Sequence, residues 1–236
     1  MAEFLLIHGS CHGAWCWHRV IPALEGLGHT ARAIDLPGHG DDPTPVTEIT
    51  AEAYRDAILS AIDTPVILVG HSMAGFPISD VAEAAPDKVA RLVYVCAYLP
   101  RDGVSLIDMR KEAPRQLLRS VIEISGDGLS WDVAPENRVP TFYHDCPEED
   151  VALAQARLRP QAIKPQATPI RLGANFARVP KSYIRCTDDR TIPPEHQAEM
   201  SQGAGPGNAY DLATSHSPFF ANPEALADIL DRIARG

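Results

Sequence analysis

The ten residues Val66-Ile67-Leu68-Val69-Gly70-His71-Ser72-Met73-Ala74-Gly75 decide how the rest of this chain is read. The apolar run that opens them is too short for a helix and reads as a strand buried on both faces. It passes without a linker into a turn of small residues holding one serine, and Met73 to Ala84 then reads as a helix. A serine on so sharp a strand-to-helix turn needs small neighbours two positions to either side. Gly70 and Ala74 fill those places, with Gly75 directly after. The helix beyond aims its amide dipoles at the serine and favours negative charge beside it. An N-cap would also set a serine before a helix. Strand, small-residue turn and helix together mark Ser72 as a nucleophile.

Outward from this point the rhythm repeats. Phe4 to His8, Ala31 to Asp35 and Leu92 to Ala97 read as strands, with helices over Val20 to Leu27 and Thr50 to Ile62. Apolar strands separated by helices predict a parallel sheet covered on both faces. The pattern resumes late in the chain, with strands at Ser182 to Cys186 and Asn208 to Leu212 and helices at Pro194 to Met200 and Pro223 to Arg235. The expectation is a doubly wound α/β fold on a mostly parallel six-stranded sheet.

Between Leu99 and Pro180 the texture differs. That stretch holds nine prolines, no convincing strand and one clear helix, about Glu148 to Leu158. It carries 11 basic and 11 acidic residues, so the whole net charge of −10 belongs to the remainder. More than 80 residues without strands are hard to thread through a parallel sheet. Residues 1–98 and 181–236 are therefore expected to form the core, and residues 99–180 an inserted helical cap, or lid.

Composition narrows the function classes. With 45% hydrophobic and 22% charged residues among 236, the chain is an ordinary globular one, long enough for one large core. Its acidity gives it nothing to gain from a polyanion, so no nucleic-acid partner is expected. Its apolar runs fall far short of the ~20 residues of a membrane span, and none is expected. Phe4 to Ile7 is too short for the apolar segment of a secretory leader, and five cysteines is an odd count. Free thiols and a cytoplasmic location follow as expectations.

A serine hydroxyl needs a base within hydrogen-bond reach, and the base needs an acid to orient it. In a strand–elbow–helix enzyme the acid and then the histidine follow the serine. Of the downstream histidines, His144 lies in the insertion and His196 falls within a helix, where it reads as an exposed polar residue. His216 follows the last strand, at the carboxyl edge where open α/β sheets place their ligands. Asp188 and Asp189 both follow the preceding strand and cannot both point inward; Asp189 is the preferred acid, with Asp188 facing solvent or ordering the turn. Two backbone amides should face the developing oxyanion. Met73, just after the nucleophile, supplies one, and Ser10, in the glycine-flanked loop His8-Gly9-Ser10-Cys11-His12-Gly13, the other. His8, Cys11, His12, Cys16 and His18 fit no standard zinc spacing, so neither metal nor cofactor is expected.

Taken together, His8 to Trp15, Gly70 to Gly75, Cys186-Thr187-Asp188-Asp189, the late His216 and Cys146 to Ala154 resemble the α/β-hydrolase superfamily. The resemblance is to the branch of plant methyl-ester esterases, hydroxynitrile lyases and bacterial pyrethroid hydrolases, and it spans nearly the whole chain. It implies the α/β-hydrolase fold, a triad of Ser72, Asp189 and His216, a helical cap, no cofactor, and frequently a homodimer. The lyases of this branch tend to carry threonine, glutamate and lysine where this chain has Gly9, His71 and Ser217. Released cyanide needs a nearby cation, which Ser217 does not supply. The expected activity is therefore a serine carboxylesterase acting on a small to medium apolar ester. A ligand-binding receptor with slow turnover is the alternative of a different class, and cleavage of an amide, lactone or carbon–carbon bond is another. His71, Phe76, Leu106, Met109, Trp131, Phe142 and Phe219 are the candidate substrate-lining residues.

Overall fold

A computed structural model describes all 236 residues. Strands β1 (Glu3–Ile7), β2 (Thr30–Ile34), β3 (Val66–His71) and β4 (Val89–Val95) come before the insertion. Within it lie β5 (Ile122–Ile124), β6 (Ser130–Val133) and β7 (Gln161–Ala162), and after it β8 (Lys181–Cys186) and β9 (Ala209–Leu212). The main sheet has the order β2-β1-β3-β4-β8-β9, and every pairing in it is parallel. All six carboxyl ends therefore open on one edge.

Alternation along the strands sorts the core into two layers. Leu5, Ile7, Leu68, Leu92, Tyr94 and Tyr183 face one side, where Tyr54 and Ile58 of the helix Ala51–Ser60 also pack. Phe4, Leu6, Val69, Val93, Ile184 and Leu212 face the other, against Leu226, Leu230 and Ile233 of the helix Pro223–Arg235. Those helices begin at side-chain caps, Thr50 accepting from the Ala53 amide (3.1 Å) and Asn222 from the Ala225 amide (3.2 Å).

The segment 99–180 departs from expectation. It is not strand-free: β5, β6 and β7 form an antiparallel three-stranded sheet. Nor has it a single helix, since Leu106–Glu112, Pro135–Phe142, Lys164–Ala167 and Ala174–Arg178 join Glu148–Arg157. These pieces are too short to impose a period on the sequence. The segment also has no core of its own. Met109, Ala162 and Ile170 enter one layer of the main core, and Trp131, Val133, Phe142 and Ala154 enter the other. Polar ties add to this: Arg159 Nη1 donates to the carbonyls of Gly40 (3.0 Å) and Asp42 (2.8 Å), and Gln161 donates to the Tyr54 hydroxyl (3.1 Å).

Candidate active site

Four of the parallel strands deliver the candidate residues to one edge. Ser10 follows β1, Ser72 follows β3, Asp189 lies just beyond β8, and His216 just beyond β9. Ser72 sits at φ 54°, a left-handed conformation that an L side chain enters only under strain. The turn is tight because the chain is packed on every side of it. A Cβ at Gly70 would come within 2.7 Å of Ile78 Cδ1 and 3.0 Å of the Ala74 backbone. One at Gly75 would overlap the carbonyl oxygen of Tyr98, whose own amide donates to the Ser72 carbonyl (3.1 Å). The position that tolerates no side chain is thus Gly75, while the methyl of Ala74 is accommodated in the core.

Three side chains far apart in sequence meet here. The Ser72 hydroxyl lies 3.0 Å from His216 Nε2, and His216 Nδ1 lies 2.7 Å from Asp189 Oδ2. An ionised carboxylate can only accept, so Nδ1 carries the ring proton and Nε2 is left to accept from the serine. Asp189 is buried and takes three further bonds: the Thr191 (2.6 Å) and Ile192 (3.0 Å) amides donate to Oδ1, and Gln197 Nε2 (2.8 Å) donates to Oδ2. Its neighbour Asp188 is exposed. Gln197 has no counterpart in the sequence reading. The only signal for it was its place on the face of the Pro194–Met200 helix turned toward β8.

His71, expected to touch substrate, does not reach the cavity. It is fully buried behind His216, and its Nε2–H donates to the His216 carbonyl (2.7 Å). Burial, with the neighbouring His216 and His12, holds the His71 ring well below the usual histidine range, so it stays neutral. Cys96 Sγ donates to the same carbonyl (3.5 Å). His71, Cys96 and His216 present atoms within 4.8 Å of one another, but these bonds use both His216 nitrogens, the thiol proton and one His71 nitrogen, leaving no ligand set for a metal. His8 is likewise occupied: Nδ1–H donates to the Gly9 carbonyl (2.8 Å) and Nε2 accepts from the Leu36 amide (3.0 Å).

Ser10, Ser72, Met73 and His216 all line one narrow cavity at the relay. Leu106, Trp131 and Phe142 form its walls, joined by His12, Tyr98, Arg110, Leu118, Gln166 and Ile192, which the sequence reading missed. Met109 and Phe219 are fully buried core residues and do not line it. Phe76 lines an adjoining, roomier outer chamber, which shares Met73, Leu106 and Gln166 with the inner one. The amides of Ser10 and Met73 make no turn or loop hydrogen bond, and the first-turn position of Met73 leaves its N–H without a partner inside its helix.

The Ser10 loop is braced from two sides. His12 Nδ1–H donates to the Ser10 carbonyl (2.7 Å), and His12 Nε2 accepts from the Tyr143 hydroxyl (2.7 Å). That arrangement requires a neutral ring, and burial pulls its pKa down to about 4. Gln166 Nε2 donates to Ser10 Oγ (2.8 Å), while its Oε1 accepts from Trp131 Nε1 (3.0 Å). His196 departs from expectation as well, being buried beside the Tyr98 ring rather than exposed. The geometry sets a serine hydroxyl within hydrogen-bond reach of an imidazole held in one tautomer, with Ser10 and Met73 lining the same cavity.

Comparison with known proteins places these features in context. The model of the alpha/beta hydrolase family matches residues 4–229. Esterase PIR7B of Oryza sativa subsp. japonica is 32% identical over 98% of this chain and 95% of its own length. Methylesterase 2 of Arabidopsis thaliana is also 32% identical, again over 98% of this chain and 95% of its own. Among solved structures, a pyrethroid hydrolase from Sphingobium faniae JZ-2 superposes with a TM-score of 0.88 at 28% identity, covering 100% of this chain and 98% of that one.

Proposed function

The chain belongs to the α/β-hydrolase family, and from that membership we propose that it is a serine carboxylesterase whose relay is Ser72, His216 and Asp189. Its relatives are esterases and hydrolases, and it is an enzyme of that kind. The observation that carries the residue assignment is the unbroken chain of hydrogen bonds from the Ser72 hydroxyl to the buried Asp189 carboxylate. Ser72 attacks the ester carbonyl as His216 Nε2 takes its proton, and the carbonyl oxygen becomes an oxyanion held by the Ser10 and Met73 amides. His216 then returns the proton to the departing alcohol. Water, deprotonated by the same ring, cleaves the acyl-enzyme and releases a carboxylic acid. Asp189 keeps the imidazole in the tautomer that can accept, and stabilises the imidazolium between the two proton transfers.

Residues 99–180 act as the cap in this reading. Leu106, Leu118, Trp131 and Phe142 close over Ser72 and make the walls apolar, which suits a small to medium ester with an apolar body. No helix of the chain is long and apolar enough to cross a membrane. All five cysteines are free, which supports a reducing compartment such as the cytoplasm.

The test is turnover of p-nitrophenyl acetate and butyrate by the wild type and Ser72→Ala. The wild type should show steady multiple turnover and the variant a loss of about 10⁴-fold or more. Turnover retained in the variant would remove Ser72 from the reaction. A single burst followed by tightly held product would favour a receptor over an enzyme.

A further inference from the structure

Ester hydrolysis by the relay leaves one group in the cavity without a task. Arg110, in the last turn of the helix Leu106–Glu112, reaches the inner chamber that holds Ser72 and His216. Its Nη1 is buried with no hydrogen-bond partner. The acids near it are taken by other cations: Asp108 by Lys111, Glu112 by Arg101, and Glu195 by Arg115. The helix C-terminus offers its cation a favourable dipole, but carbonyls pointing along an axis do not satisfy the donors of the guanidinium fork. Burial accordingly pulls the Arg110 pKa downward, with the Arg119 charge pushing the same way and only the Tyr98 hydroxyl opposing.

The surroundings sharpen the imbalance. A narrow recess continues from the chamber past Arg110, Tyr98, Leu118 and Thr191, and it adds the exposed Arg115 and Arg119 to the wall. Neither space has a single Asp or Glu in its lining. With Arg115 paired to Glu195, one end of the chamber is cationic through Arg110 and the exposed Arg119, and the unspent donors that reach the chamber are those of Arg110, whose planar fork matches a carboxylate. Arg110 is half-buried, and its shielded Nη1 donors stay unsatisfied unless something arrives to pair them.

We propose that the substrate is an anionic ester, one carrying a free carboxylate on the portion lodged in the inner chamber, with Arg110 seating that carboxylate as the specificity-determining residue. The chemical class is the half-ester of a dicarboxylic acid. The apolar walls take its methylene body, the ester carbonyl lies at Ser72, and the second carboxylate reaches the guanidinium. This inference rests on the esterase reading of the same cavity and adds the charge of the substrate to it.

The experiment compares kcat/KM for the monomethyl esters of succinate, glutarate and adipate with neutral methyl esters of equal length. In the wild type at least one half-ester should be preferred by about 10- to 100-fold, the worth of a charge-assisted hydrogen bond. Arg110→Met should collapse that ratio, and Arg110→Lys should restore part of it, because lysine keeps the charge and loses the fork. Each protein is judged on a ratio, so a general loss of activity cancels. Should Arg110→Met not fold, two measurements still decide: the wild-type preference, and calorimetric binding of monomethyl glutarate to Ser72→Ala, which should weaken as salt is raised. A neutral ester preferred across the whole series, or a half-ester preference untouched by Arg110→Met, overturns the inference. Turnover of both ester types that survives Ser72→Ala would sink the esterase reading itself; Ser72-dependent turnover blind to charge sinks only this one.

Discussion

The core and the insertion differ in what they contribute to the same cavity. From the core, at the ends of β1, β3 and β9, come Ser10, Ser72 and His216, with Asp189 at the end of β8 buried behind His216. From residues 99–180 come Leu106, Arg110, Leu118, Trp131 and Phe142, which form walls. The parallel sheet fixes its strand ends through continuous hydrogen-bonded ladders, whereas the insertion is assembled from short strands and helices that borrow the main core for their burial. Reaction chemistry is thus expected to be a property of the core, and choice of substrate a property of the insertion. Substitutions in the first should lower the rate for every ester, and substitutions in the second should redistribute rates among esters.

The sharpest test of that division is Asp189→Asn. An amide in place of the carboxylate can donate to His216 Nδ1 and so favours the wrong tautomer. It also turns an NH2 toward groups that now donate, the Thr191 and Ile192 amides or Gln197. We expect kcat to fall by about 10⁴-fold, with the ranking of esters unchanged. A reordered ranking would mean that Asp189 shapes the binding chamber, and the division would fail at its strongest point.

The same contrast runs through what the sequence discloses. Core strands such as Val66–His71 are apolar runs closed by glycine or a turn, and their observed limits lie within a few residues of expectation. The candidates Ser72, Asp189 and His216 can be picked out because each stands at a strand end, and strand order constrains which residues can follow a serine at such a turn. β7 has two residues and β5 three, and the helix Pro135–Phe142 contains Pro140; none of these offers a period to detect. Burial deceived in a different way. His71 borders Ser72 in sequence, which suggests a substrate contact, yet at the end of β3 its ring lies buried under the His216 loop and donates to the His216 carbonyl. Arg110 and Gln166 were invisible because each matters for where its functional group arrives, and several packed segments decide that.

Response to acid should separate the two regions as well. His8, His12, His39 and His71 all lie in the core, and burial lowers the pKa of each, that of His12 to about 4. In the unfolded chain these rings protonate near ~6.5. Between pH 4 and 6.5 the unfolded state therefore binds more protons than the native one, and stability falls as pH falls through that window. For His12 alone the loss from pH 7 to pH 5 is about 2 kcal/mol. The depressed carboxylates, Glu195 among them at about 2, act only at lower pH. Urea midpoints should thus drop markedly from pH 7 to 5, and His12→Gln should remove part of that drop. A midpoint flat across the interval would show that the rings are protonated or exposed in the native protein.

The smallest effect probes where the division ought to break. Gln166 belongs to the insertion, yet it bridges Trp131 in the wall to Ser10, whose amide is the proposed oxyanion donor. Gln166→Leu keeps a side chain of similar bulk and removes both bonds, each worth about 1 kcal/mol. If it acts as a strut, kcat should fall by about threefold to tenfold for every ester, with KM ratios among esters held. If it acts only as a wall, KM should change ester by ester while kcat stays in place. The first result makes the boundary between rate and selectivity follow hydrogen bonds instead of chain segments. A residue of the insertion would then belong, in function, to the sheet edge it touches.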